Sequence, residues 1–188
     1  MDFQKILSVI AGILFLAATI PYVRAILRKE TRPMKSTWII WASLDTITLA
    51  GMIVKDSVNG QIIGAIIGAW LVAGLAIRYG KAGWSLLDKV CLGGAIVGII
   101  LWQTMDSNFA IMASLGTMFV GSIPTFVSAW RNPKGEDRFT WTLCWISCVI
   151  AMFAIPKWTI EDAAQPIVFM VIESTMVFLL WVRPKFKQ

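Results

Sequence analysis

Seven apolar stretches, each long enough to cross a bilayer, follow one another with little between them. They run roughly over 4–27, 36–55, 60–79, 86–104, 108–130, 139–155 and 164–182. A spanning helix needs about 20 apolar residues, within a range of roughly 17–25. Backbone amides in lipid must be satisfied inside their own segment, and no alternating strand pattern is present, so the stretches are expected to be helices. Connections such as 56–59 and 105–107 force neighbouring helices to run antiparallel and leave no room for a soluble domain. Hydrophobic residues make up 57% of the chain and charged residues 15%. Average soluble proteins carry about 45–50% and 25%.

The basic residues predict the orientation. Of seventeen Lys and Arg, only Lys5, Lys55 and Lys157 fall on one side of this threading; the other fourteen fall on the opposite side. Short loops rich in Lys and Arg stay in the cytoplasm. The amino terminus is therefore expected outside and the carboxyl terminus inside, in a plasma membrane such as the bacterial inner membrane. The net charge of +6 is then a topology signal, and its dispersal over short segments speaks against nucleic acid. A cleaved signal peptide would carry its positive charge before the apolar run, whereas here the charge follows it.

The chain repeats itself. "IPYVRAILRKETRPMKSTWIIW" leaves the first stretch, crosses a basic hairpin and enters the second. "IPTFVSAWRNPKGEDRFTWTLCW" does the same between the fifth and sixth. At an offset of 103, Pro21 meets Pro124, Arg28 meets Arg131, Thr37 meets Thr140 and Trp38 meets Trp141. Gln61 and Gln165 align after one inserted residue. Helices 1–3 thus match helices 5–7. The fourth is a connector whose extra reversal makes the two triplets parallel, as in carriers with repeats about an axis along the membrane normal. Residues 1–81, 82–106 and 107–188 are expected to form the first three-helix bundle, the connector and the second bundle.

Plan, topology and the proline-then-basic-hairpin pattern resemble the SWEET and PQ-loop superfamily, over nearly the whole chain. The superfamily's Pro-Gln pair stands here as Pro21-Tyr22 and Pro124-Thr125. The resemblance implies alternating access, with Pro21 and Pro124 as hinges of the cytoplasmic gate. The residues themselves support a bend at each, since proline removes a helix hydrogen bond and clashes with the preceding turn. A static kink is the plainer reading.

Asp45 and Glu173 lie at the centres of the second and seventh stretches. A carboxylate there costs at least roughly 2.5–3.5 kcal/mol, so it normally faces a wet cavity or a partner. Trp38, Trp41 and Asp45 share one helical face, and Trp141, Trp145 and Cys148 share another, so the two stripes are expected to face each other across a central cavity. The carboxylates would carry coupling protons or neutralise a cationic substrate stacked on indoles. The structural alternative pairs Asp45 with a neighbouring helix and Glu173 with Arg24 or Ser174. Trp84, Trp102, Trp130, Trp158 and Trp181 fall near span ends and read as interfacial anchors. Gly60, Gly64 and Gly68 mark a close helix contact. Cys91, Cys144 and Cys148 suggest neither disulfides nor a metal site.

With no histidine, histidine relays and histidine-bound metals are excluded. The last stretch lacks the lysine that a retinal Schiff base needs. Asp45 has no protease motif around it. A nicotinamide-riboside-type carrier shares the plan but is expected in the opposite orientation. The expectation is an all-α membrane protein of seven transmembrane helices that is no enzyme and has no cofactor. It would carry a polar metabolite such as a sugar, an amino acid or a cationic compound, with protons as a coupling ion and self-association left open. The alternative is a receptor on the same fold without net transport.

Overall fold

The computed structural model describes residues 2–33, 35–80 and 107–184, together with 86, 89, 90, 92–94, 96, 97 and 100. Of residues 124, 128 and 135 only the backbone is described. The expected fourth span, with Trp84, Cys91 and Trp102, therefore lies largely outside the described residues.

Among the described residues every regular element is helical. The long helices are α1 (Phe3–Leu27), α2 (Lys35–Val54), α3 (Gly60–Tyr79), α4 (Ser107–Arg131), α5 (Arg138–Phe153) and α6 (Ile160–Val177). A short 3-10 turn, Pro133–Gly135, precedes α5, and a π-helical turn, Phe178–Val182, continues α6. Among the described residues five segments are long and apolar enough to cross a membrane: α1, α2, α3, α4 and α6 with its π turn. Helix α5 has 16 residues. That is about 24 Å at 1.5 Å per residue, short of the roughly 30 Å hydrocarbon core.

Helix ends follow local chemistry. Asn59 caps α3 by accepting from the Ile62 amide at 3.0 Å, and Asp137 caps α5 by accepting from the Thr140 amide at 2.6 Å. Arg24, Arg78 and Arg131 sit in the last turns of α1, α3 and α4, where the helix dipole favours cations. Helix α1 ends on Lys29, a non-glycine residue at φ 62°. The Glu30 amide reaches back to the Ala25 carbonyl at 2.9 Å, closing a Schellman turn.

The helices pack as a closed ring in the order α1, α3, α2, α4, α6, α5 and back to α1. Within each group of three, the third helix lies between the first and the second. The tightest seam is α1 on α3. A Cβ on Gly12 would strike the Gly60 carbonyl, and one on Gly64 would strike the Gly12 carbonyl. Backbones approach so closely only where both sides lack a side chain.

Polarity is arranged inside out relative to a water-soluble bundle. Ile13, Ile53, Ile67, Trp70, Phe109 and Phe153 are exposed, while Gln61, Gln165, Ser114 and Ser147 are fully buried. An apolar coat over polar interior contacts is what a bilayer-embedded protein needs. Trp130 and Trp181 lie in this coat near helix ends. Arg183 lies over the Trp130 ring at 4.6 Å and Arg138 over the Trp181 ring at 5.2 Å. Trp158 is 70% exposed.

Candidate functional site

The ring encloses a cavity of ≈ 700 Å³. Its mouth is formed by the two hairpins that join α1 to α2 and α4 to α5, through Lys29, Arg32, Asn132 and Glu136. Lys29 and Arg32 are exposed, so the cavity reaches the surface at that end.

One wall comes from α1 and α2. Helical spacing puts Trp38, Trp41 and Asp45 on the same face of α2, and all three line the cavity. Tyr22 of α1 stacks on Trp38 with ring centroids 5.3 Å apart, and Trp38 meets Trp41 edge-on at 5.5 Å. Deeper in, Phe15 of α1 and Phe169 of α6 touch at 5.8 Å between centroids. The opposite wall carries Trp141 and Cys144 of α5 and Glu173 of α6. The Trp141 indole donates to Glu136 Oε2 at 3.2 Å. Burial, with the charge of neighbouring Asp137, holds Glu136 above the usual carboxylate range, against that indole bond.

Asp45 and Glu173 thus share one cavity, at 5% and 6% exposure. Asp45 Oδ1 and Glu173 Oε2 are buried without a hydrogen-bond partner. The structural pairings expected from sequence do not form: Arg24 is exposed, and the Ser174 hydroxyl receives the Trp145 indole N–H at 3.0 Å. Thr48, one turn beyond Asp45, bonds Ser114 of α4 at 2.7 Å. Among the described residues no three His, Cys, Asp or Glu side chains converge to hold a metal.

Trp145 differs from its expected place. It is absent from the lining because the cavity face of α5 runs from Trp141 to Cys144, and Trp145 turns towards α6 instead. Cys148, expected on that stripe, accepts from Gln61 Nε2 at 3.2 Å. Pro21 lies inside α1 one residue before the lining Tyr22, and Pro124 falls within α4 with its side chain outside the described atoms.

The end opposite the hairpins is sealed by amides. Asn59 Nδ2 donates to Gln165 Oε1 at 2.8 Å, and Gln165 Nε2 donates to Gln61 Oε1 at 3.1 Å. Gln61 Nε2 lies 3.4 Å from Ser147 Oγ, which donates to the Ala11 carbonyl at 2.7 Å. The helix cap fixes the polarity of this chain. Asn59 spends its oxygen on the Ile62 amide, so only its nitrogen is left for Gln165, and each following amide is oriented in turn. Helices α1, α3, α5 and α6 are tied together there.

Sequence reading missed Tyr22, Glu136 and this amide chain as functional parts. The alignment of Gln61 with Gln165 was the available signal. Set against known protein families, characterised proteins and solved structures, the chain matches none.

Proposed function

We propose that the chain is a small-molecule carrier working by alternating access, caught with its cavity open at the hairpin end. The observation that carries this is the asymmetry of one central cavity. It opens between two basic hairpins, holds partnerless carboxylates deep inside, and is closed at the far end by hydrogen bonds between the two groups of three helices. A carrier needs a site near mid-depth and a seal on one side at a time.

The ring order supports reading the groups as parallel repeats. Exchanging α1 with α4, α2 with α5 and α3 with α6 maps the ring of contacts onto itself. With the fourth span as connector, the plan is that of the SWEET and PQ-loop superfamily. The excess of Lys and Arg at the hairpin end supports a cytoplasmic mouth. Glu173 and Asp45 bind the substrate or its coupling proton, Trp38, Trp41 and Trp141 flank it, Trp145 braces α6 through Ser174, and bending at Pro21 and Pro124 closes the mouth.

The test is flux. Purified protein in proteoliposomes should exchange a radiolabelled metabolite with saturation, while protein lacking both central carboxylates should not. Saturable binding with no flux for any bound ligand would make the chain a receptor instead.

A further inference from the structure

The chemistry of the cavity floor restricts what can bind there. Taking the carrier's binding site as its premise, we infer that the substrate is an organic cation. Its charged head would lie at Asp45 and Glu173, and its apolar body against the Tyr22–Trp38–Trp41 wall.

The charged groups at the floor are both acids. Asp45 Oδ1 and Glu173 Oε2 are buried in residues that line the cavity and accept from nothing among the described residues. Buried charge is tolerated where a counter-charge or hydrogen-bond donor meets it. The basic lining residues Lys29 and Arg32 belong to the exposed hairpin at the mouth and do not supply it. The neighbouring hydroxyl of Ser122 is already committed to the Met118 carbonyl at 2.9 Å. The ligand must therefore bring the donors and the positive charge.

Other classes fit worse. A sugar would find hydroxyls in the lining, among them Thr19, Thr125 and Thr140, but brings no counter-charge to the two acids. An anion or a deeply seated amino-acid carboxylate would meet two acids with no base beside them. A bare proton needs no aromatic chamber of ≈ 700 Å³. The rings of Tyr22, Trp38 and Trp41, joined in series through Trp38, give an ammonium or guanidinium group the electron-rich surface it prefers.

The test uses the full chain in detergent and two matched probe pairs. These are choline with its neutral isostere 3,3-dimethylbutan-1-ol, and phenylethylamine with 2-phenylethanol. The cations should raise the melting temperature and quench tryptophan fluorescence saturably, and the neutral partners should do neither. Asp45→Asn and Glu173→Gln should each weaken cation binding at least tenfold, a change of about 1.4 kcal/mol. Asp45→Glu and Glu173→Asp, which keep the charge, should retain more binding than the neutral variants and so separate charge from folding. Equal binding of neutral and charged partners overturns the inference. So does the failure of both cations to bind, or unchanged affinity in both neutral variants. Flux separates this inference from its premise. A cation that binds but never crosses the liposome refutes transport and leaves the cation site standing. A neutral metabolite carried at parental rate by the doubly neutralised variant does the reverse.

Discussion

Gln165 Nε2 donates to Gln61 Oε1 at 3.1 Å, so two glutamines 104 residues apart meet in the sealed end of the ring. Both side chains are fully buried, and between them they join α3 to α6. Removing either partner strands the other. An orphaned buried amide costs about 1–3 kcal/mol. Gln61→Ala or Gln165→Ala should lower the melting temperature and open the seal. Cys148, fully buried and bonded to Gln61, reports on that opening. With Cys91 and Cys144 replaced by alanine, Cys148 should react with an impermeant thiol reagent in the glutamine variants and resist it in the parent.

The α1–α3 seam should discriminate sharply between glycines. Gly64→Ala places a methyl group against the Gly12 carbonyl, and overpacking of this kind costs about 1–3 kcal/mol. Gly74 in the same helix has open space around its Cβ position. Gly74→Ala should be neutral or stabilise by up to about 1 kcal/mol through helix propensity. Thermal melts of the two variants side by side check the contrast.

Pro21 interrupts α1 beside the cavity-lining Tyr22. Pro21→Ala and Pro124→Ala should each restore a helix hydrogen bond and stiffen the bend. If bending closes the mouth, both variants bind the substrate normally and exchange it more slowly. Unchanged exchange rates would reduce the prolines to static kinks.

Glu136 gives a pH signature with a definite sign. Its folded-state pKa lies above the ordinary glutamate value of about 4.3. The folded protein therefore holds this proton more tightly than the unfolded chain. Its contribution to stability is present below the ordinary value and is lost as pH rises through the folded value. Across that window the parent should lose stability relative to Glu136→Gln, measured as the difference in melting temperature with pH.

Orientation is testable by labelling. Single cysteines at Val58 and Lys157 should react with an impermeant reagent added to intact cells, and one at Thr31 should not. Labelling at position 31 alone would invert the reading of the basic hairpins.

Much of the frame was legible because membrane helices declare themselves by length and polarity. The first, second, third, fifth and sixth stretches fall within about two residues of their helices. The shared cavity of Asp45, Glu173, Trp38, Trp41 and Trp141 was legible too, because 3.6-residue spacing fixes which side chains share a face. Trp145 was not: its spacing keeps it near the face of Trp141, and what draws its indole towards α6 is the bond to Ser174, which periodicity does not reveal. Glu136 was hidden for another reason. A hairpin has no periodicity to show which of its side chains folds inward, and Glu136 does so to reach Trp141.

The seal at the end opposite the hairpins is built from Asn59, Gln165, Gln61 and Ser147, none of which ionises. Acid at that end therefore finds no proton acceptor to titrate in these links. On the carrier reading proposed above, proton coupling would act at Asp45 and Glu173 in the cavity rather than in these links. A carrier of this kind would then meet its cargo and its proton in the same chamber.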